Sequence, residues 1–343
     1  MDRISNAETT SSSETKWEVS LRPQNFGDFP GQDKIKEKLD IFVRAAKTRG
    51  ETLDHVLFCG PPGLGKTTLA HIVANELGGE IKVTSGPALD KKGELAAVLT
   101  SLKPNSILFV DEIHRLNKNI EEYLYSAMED FTIDIITGEG LGARVMKFKL
   151  APFTLIGATT RAGLMDKPFL DRFGIVERLS FYQVKDIVQI VSRSANLLGV
   201  DIEEGAALEI AKRCRATPRI ANRLLKRVRD YAQVKNEKTI STDTADYALN
   251  HLDVDRRGLD PMDRQILTVL CEKFQGGPTG IDTLSAALSE DRGTLEEVYE
   301  PFLLQEGFIQ KTPRGRVATD VAYSHLGIKQ LKSTKQDNLD LEI

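Results

Sequence analysis

The chain has 343 residues, 41% of them hydrophobic and 28% charged, with a formal net charge of −4. That length suits two or three domains, and the charge balance excludes a globally basic nucleic-acid binder, so any nucleic-acid contact must come from local patches. No apolar run approaches the roughly 18 residues of a membrane span. Met1 to Thr15 is rich in Ser, Thr and Glu and lacks an apolar signal-peptide core, so it reads as a disordered tail. Cys59, Cys214 and Cys271 show no CxxC spacing and the five histidines no HExxH spacing, which argues against a zinc site or disulfides and fits packing cysteines in a reducing cytoplasm.

After a tail over residues 1–20, the block 21–181 alternates apolar runs with amphipathic stretches. Strands are expected at His55–Cys59, Ile81–Thr84, Ser106–Val110 and Phe153–Ala158, with helices such as Thr67–Leu77 and Lys118–Met128 between them. This predicts an α/β fold, a parallel sheet with helices on both faces. The block 182–254 shows no strand signal. A helix is expected to start at Thr217 with Pro218 in its first turn, and Ile220, Leu224 and Val228 mark one buried face of a small helical bundle. In the block 255–330, helices over Pro261–Lys273, Ile281–Leu288 and Leu295–Glu306 precede a hairpin with a Pro313-Arg314-Gly315 turn. Three helices and a basic hairpin make a winged-helix shape. A polar tail fills 331–343.

The chemistry begins at Gly60-Pro61-Pro62-Gly63-Leu64-Gly65-Lys66-Thr67, which follows an apolar strand and opens a helix. Glycines there let backbone N–H groups point at phosphate oxygens, and the helix N-terminus adds a favourable dipole. Lys66 would reach the β- and γ-phosphates and the Thr67 hydroxyl would ligate Mg²⁺. Ser106–Val110 then ends in Asp111-Glu112. Asp111 can hold the metal, usually through water, and Glu112 can orient and deprotonate an attacking water, so hydrolysis of ATP is implied. A third apolar strand ends in Thr159-Thr160-Arg161, where Thr160 could meet the γ-phosphate or that water. Arg172, in Asp171-Arg172-Phe173-Gly174, could reach a neighbouring subunit's nucleotide; a surface arginine is the plainer alternative.

Two hairpins remain. Phe131–Ile136 and Val145–Leu150 flank a glycine-rich tip, and Ile136, Leu141 and Met146 near that tip have little of their own domain to pack against. They read as a docking site, with an ordinary sheet extension as the alternative. Lys311, Arg314 and Arg316 lie in Gly307–Thr319, which has no acid, and suit phosphate contacts on duplex DNA, a solvated turn being the alternative. The stretch Lys212–Arg229 carries eight basic residues and no acid; Arg219 is expected to face the nucleotide and the rest to be mostly solvated or at a subunit interface.

Taken together, these elements resemble the AAA+ ATPases, and within them the RuvB family of bacterial Holliday junction branch-migration motors. The resemblance is carried by Leu21-Arg22-Pro23, Gly31-Gln32, Gly60–Ala70, Asp111–Leu116, Gly157–Gly163, Asp171–Ile175, Thr217–Leu225 and Thr312–Thr319. It implies a large AAA+ domain, a helical lid domain and a winged-helix head working as a hexameric ring on four-way junction or duplex DNA, in recombination and repair. It also implies RuvA docked on hairpin 131–150, RuvC in the same complex, and a cytoplasmic location away from membranes.

Among residues, it implies that Leu21 and Arg22 lie against adenine, and that Gly63, Gly65, Lys66, Thr67 and Thr68 hold the phosphates. Thr160 looks like sensor 1, Arg219 like the sensor-2 arginine, Arg172 like an arginine finger acting in trans, and Tyr182 like a nucleotide-contacting hinge. Glu129, Asp130 and Phe131 match a segment that approaches a neighbour's nucleotide, and Arg292 joins the hairpin residues as a DNA contact. The sequence departs from the family pattern at Ala216, where Gly is usual, and at Leu170 and Lys311, where Arg is usual. A clamp-loader-like ATPase and an ATP-switched DNA-binding regulator are the competing readings. The basic winged-helix hairpin argues against the first. Glu112 and the docking hairpin argue against the second.

Overall fold

The structure, a computed structural model, describes residues 17–137 and 144–329. Its first block holds α1 (Asp33–Arg49), β1 (Val56–Cys59), α2 (Lys66–Leu77), β2 (Ile81–Ser85), α3 (Lys92–Thr100), β3 (Ser106–Asp111) and α4 (Lys118–Glu129). A hairpin of β4 (Thr132–Thr137) and β5 (Arg144–Lys149) follows, then β6 (Phe153–Thr159) and β7 (Ile175–Arg178). Five strands form one parallel sheet in the order β2-β3-β6-β1-β7. The edge strand β7 is absent from the sequence expectation.

Strand alternation explains why both faces are covered. Val56 and Phe58 of β1 point to one side and pack with Leu39, Leu69 and Ile72 of α1 and α2. Leu57 and Cys59 point to the other and meet Leu95, Leu124 and Phe169. Successive side chains in a strand project to opposite faces, so a strand covered on both faces is apolar at every position.

The lid comprises α5 (Val184–Leu197), α6 (Glu204–Arg213), α7 (Pro218–Val234) and α8 (Thr242–His251). Contrary to expectation it has a minimal parallel pair, β8 (Asp201–Ile202) with β9 (Thr239–Ile240). Helix α7 begins at Pro218 after Thr217, as the sequence predicts, and buries Ile220, Leu224, Leu225 and Val228. Each such side chain contributes about 1.5–3 kcal/mol on burial. These residues join the same apolar core as α1, α2 and β1, through Leu179 and Tyr182. The lid therefore shares a core with the α/β block.

The third block keeps a core of its own, built on Leu267, Leu270, Leu284, Leu303 and Phe308. It contains α9 (Pro261–Thr268), α10 (Ile281–Leu288), a continuous helical stretch from Arg292 through α11 (Glu300–Gln305), the hairpin β10 (Ile309–Thr312) and β11 (Gly315–Ala318), and α12 (Asp320–Leu326). The last helix is not in the sequence reading. A buried ion-pair cluster ties this block to the lid. Arg215, 3% exposed, reaches Asp263 and lies 2.8 Å from Asp260 in the capping box of α9, while its Nε donates to the Gly258 carbonyl at 3.0 Å.

Arg213 is buried as well, between Glu209, Asp246 and Asn250, and so is Arg223. The expectation that the basic run 212–229, Arg219 apart, is mostly solvated or at a subunit interface fails for part of it. Three of its arginines are interior, and their acidic partners lie outside the run: Glu209 and Asp246 for Arg213, Asp260 and Asp263 for Arg215, and Glu18 for Arg223.

Candidate functional site

A cavity of about 620 Å³ opens where all three blocks meet. From the α/β block it takes Leu21, Arg22, Gly63, Gly65, Lys66, Thr67, Thr68, Asp111, Glu112 and Thr160. Tyr182 stands at the junction, and Arg219 comes from α7 of the lid. The predicted nucleotide residues are gathered in one place, except Arg172 and Glu129–Phe131.

The loop before α2 is shaped for an anion. Gly65 has φ of 98°, a conformation that strains any other residue, and a Cβ there would stand 3.1 Å from the Phe29 ring, tighter than an ordinary contact. Lys66 is 8% exposed, and its ammonium donates to the carbonyls of Gly60 at 2.7 Å and Pro61 at 2.8 Å. Burial pulls its pKa down to about 8, Arg219 adds to the fall, and Asp111 opposes it. A buried lysine with only carbonyl acceptors and one nearby carboxylate is an unbalanced positive charge, suited to a polyphosphate.

Thr67 and Asp111 face the same cavity, and among the described residues no group of three His, Cys, Asp or Glu side chains is placed to hold a metal ion. One hydroxyl and one carboxylate suit Mg²⁺, which keeps waters and binds phosphate oxygens directly. The residues present fit ATP with Mg²⁺.

Glu112 closes β3 in a left-handed conformation, φ 49°. Such a backbone costs a non-glycine residue about 1–2 kcal/mol, and strain of this kind concentrates at functional positions. Gly86 makes room for it: a Cβ there would stand 2.5 Å from the Glu112 carbonyl oxygen. Arg115 donates to the Glu112 carboxylate at 3.0 Å. At the end of β6, Thr159 is buried against His114 at 3.0 Å and leaves Thr160 to face the cavity.

Backbone contacts hold the lid to the loop. The amide of Arg219 donates to Gly63 O at 3.4 Å, the Tyr182 hydroxyl to Leu64 O at 3.0 Å and the Tyr182 amide to Ala216 O at 3.1 Å.

Several cavity residues escape sequence reading. Residues 17–20 are helical, so the expected disordered tail ends earlier, and Glu18 lines the cavity 3.3 Å from the Nε of Arg219. Glu296, Glu297 and Pro301 of the third block form another wall. No local motif marks them, because their nearness to the loop is created by how the blocks pack.

Arg172 and Glu129 lie apart from this cavity but together. Their ion pair is 3.0 Å long, and the guanidinium sits 4.1 Å from the Tyr125 ring centroid. Phe131, next to β4, packs edge-on against Phe153, and Asp130 caps α4.

In the third block, Lys311 and Arg314 are exposed, and Arg292 is exposed but paired with Asp282 at 3.2 Å. Arg316 corrects the expectation. It is 5% exposed, and its guanidinium is held by Glu300 and Glu296. Its ion pairs with Glu300 and Glu296 draw it inward onto the helical stretch, so it braces the hairpin and presents no free charge to DNA.

In the 131–150 hairpin, Ile135 pairs with Met146, and Val145, Met146 and Phe148 are exposed. The side chain of Ile136 and all of Leu141 lie outside what the structure describes.

Family comparison accounts for nearly the whole described chain. Residues 21–179 match the Holliday junction DNA helicase RuvB P-loop domain, 182–255 the RuvB AAA lid domain and 256–327 the RuvB C-terminal winged helix domain. The chain belongs to the RuvB family.

A Holliday junction branch migration complex subunit RuvB from Bdellovibrio bacteriovorus is 69% identical over 311 residues, covering 91% of this chain and 94% of that relative. The solved Thermotoga maritima RuvB Holliday junction branch migration motor is 52% identical, with a TM-score of 0.82 over 90% of this chain and 99% of that one. The three matched domains are the three blocks that line the one cavity. Among the described residues no helix is long and apolar enough to cross a membrane.

Proposed function

We propose that this chain hydrolyses ATP to move duplex DNA and so drives branch migration of Holliday junctions in recombination and repair. The observation that carries this reading is the single cavity in which Lys66, Thr67, Asp111, Glu112, Thr160 and Arg219 converge, in a RuvB-family chain.

Lys66 and the amides of the Gly60–Thr67 loop bind the phosphates, and Leu21, Arg22 and Tyr182 form the wall for the adenosine. Thr67 and Asp111 would hold Mg²⁺, which supplies charge neutralisation at the phosphate oxygens. Glu112 orients a water and accepts its proton as the water oxygen bonds to the γ-phosphorus and the bond to the bridging oxygen breaks. Arg219 and Thr160 steady the γ-phosphate. Arg172 lies away from its own cavity, which supports a role at a neighbour's site and hence a ring, taken as a hexamer. Lys311, Arg314 and Arg292 meet DNA phosphates. The exposed Val145, Met146 and Phe148 of the hairpin suit docking of RuvA, with RuvC joining the same assembly in the cytoplasm.

The test is a four-way junction incubated with ATP and Mg²⁺, with and without RuvA. Conversion to duplex products, greater with RuvA and lost in Lys66→Ala, is the expected result. ATP-dependent binding without conversion would instead mark a nucleotide-gated DNA-binding switch and overturn the motor.

A further inference from the structure

The third block touches the nucleotide cavity through one turn of helix. Glu297 forms an ion pair with Arg161, the residue after Thr160, and Arg161 is itself fixed by its amide donating to Thr159 Oγ1 at 3.0 Å. Both Arg161 and Glu297 line the cavity. The adjacent Glu296 turns the other way. It accepts from Arg316 Nη2 at 3.1 Å and stands 3.5 Å from Arg292 Nε. Two consecutive carboxylates therefore join the end of β6 to the basic face around the hairpin.

The residues from Leu295 to Tyr299 run as a wide helical turn inside an otherwise α-helical stretch. Wider turns of this kind are frequent at functional sites. Because the third block has a separate apolar core, it can shift without opening that of the other two.

We propose that the Arg161–Glu297 ion pair couples nucleotide occupancy to the DNA grip of the winged-helix block, with Glu297 as a positioning residue. Phosphates in the cavity and the Glu297 carboxylate are alternative partners for one guanidinium. DNA phosphates are likewise alternatives to Asp282 and Glu296 as partners for Arg292. Filling one side changes the charge balance on the helical turn that serves the other. Coupling of this kind is reciprocal: nucleotide changes DNA affinity by the same factor as DNA changes nucleotide affinity. Half-exposed ion pairs add little to stability, so the pair's role lies in this linkage.

The inference rests on the reading of the third block as the DNA-contacting part. The test measures duplex DNA affinity of the full chain with Mg²⁺, with and without saturating ATPγS. In the unaltered protein ATPγS is expected to shift the affinity about fivefold or more, a typical coupling factor. In Glu297→Gln the shift falls to within about twofold of none, while binding in the absence of nucleotide persists. Glu297→Arg loses the shift too, whereas Glu297→Asp, which keeps the carboxylate, retains most of it, an outcome that loss of packing would not produce. A full shift in Glu297→Gln, or a Glu297→Asp no better than Glu297→Gln, overturns the coupling. DNA binding without any response to ATPγS in the unaltered protein overturns the coupling alone. No DNA binding at all overturns the reading of the third block and the coupling with it.

Discussion

Raising the pH from about 7.5 to about 9 should weaken ATP binding roughly eightfold, and Lys66 is the reason. In the free protein its ammonium is buried, donates to the Gly60 and Pro61 carbonyls, and has its pKa drawn down to about 8. The protonated fraction then falls from about 0.76 to about 0.09 over that range, which costs about 1.3 kcal/mol of binding if only the ammonium form accepts phosphate. The sign follows from the ligand. A polyphosphate favours the charged lysine, so binding restores the ammonium and takes up a proton. ATP's own phosphates are already deprotonated above about pH 7.5 and contribute no slope. Calorimetric titration with ATPγS and Mg²⁺ reads both quantities. The dissociation constant should rise with pH, and repeating the titration in buffers of different ionisation enthalpy should show about half a proton taken up at pH about 8. A lysine at its ordinary pKa would change affinity by only a few per cent across the same interval. A flat profile with no proton uptake would refute the argument.

Four further outcomes follow from particular residues. Ala216 sits at φ 52°, so Ala216→Gly should raise stability by about 0.5–1 kcal/mol, the relief of a left-handed alanine less the added chain entropy. A lower thermal midpoint would contradict that. Arg316→Ala leaves Glu300 buried without its partner and should cost about 3–5 kcal/mol in denaturant unfolding. Lys311→Ala should leave the midpoint unchanged but weaken duplex binding and reduce its salt slope by about one; equal effects of the two on stability would sink the distinction. Arg172→Ala should keep ATP affinity while losing about a thousandfold in hydrolysis, and mixing it with Lys66→Ala should restore part of the rate. No recovery in the mixture would rule out action in trans.

What was legible in the sequence is what depends on local pattern. The strand, the glycine-rich loop and α2 are contiguous, so their spacing alone announces a phosphate site. β3 and β6 are continuous apolar runs ending in polar residues, which is how interior parallel strands look. β7 was not legible because it is four residues long with Glu177 and Arg178 among them, and it gains its place only by pairing with β1. Arg316 misled for a related reason. A basic residue in a hairpin reads as a phosphate contact until Glu300, sixteen positions upstream, is brought beneath it by the helical stretch. Arg213 and Arg215 misled in the same way, their acids lying on α6, α8 and α9.

The same distinction separates how the three blocks are joined. The α/β block and the lid share apolar contacts through Leu179 and Tyr182, and sliding them apart would expose surface that water disfavours. The third block meets its neighbours through charged pairs, Arg215 with Asp260 and Asp263 on the lid side and Arg161 with Glu297 on the cavity side. The first pair is buried, and breaking it would leave charges unpaired away from water, so it acts as the fixed end. The second is half-exposed and faces the chamber where phosphates bind, so it is the end that can exchange partners at little cost. The Arg215–Arg219 segment leading into α7 therefore carries both the buried anchor of the third block and, through Arg219, one wall of the nucleotide cavity.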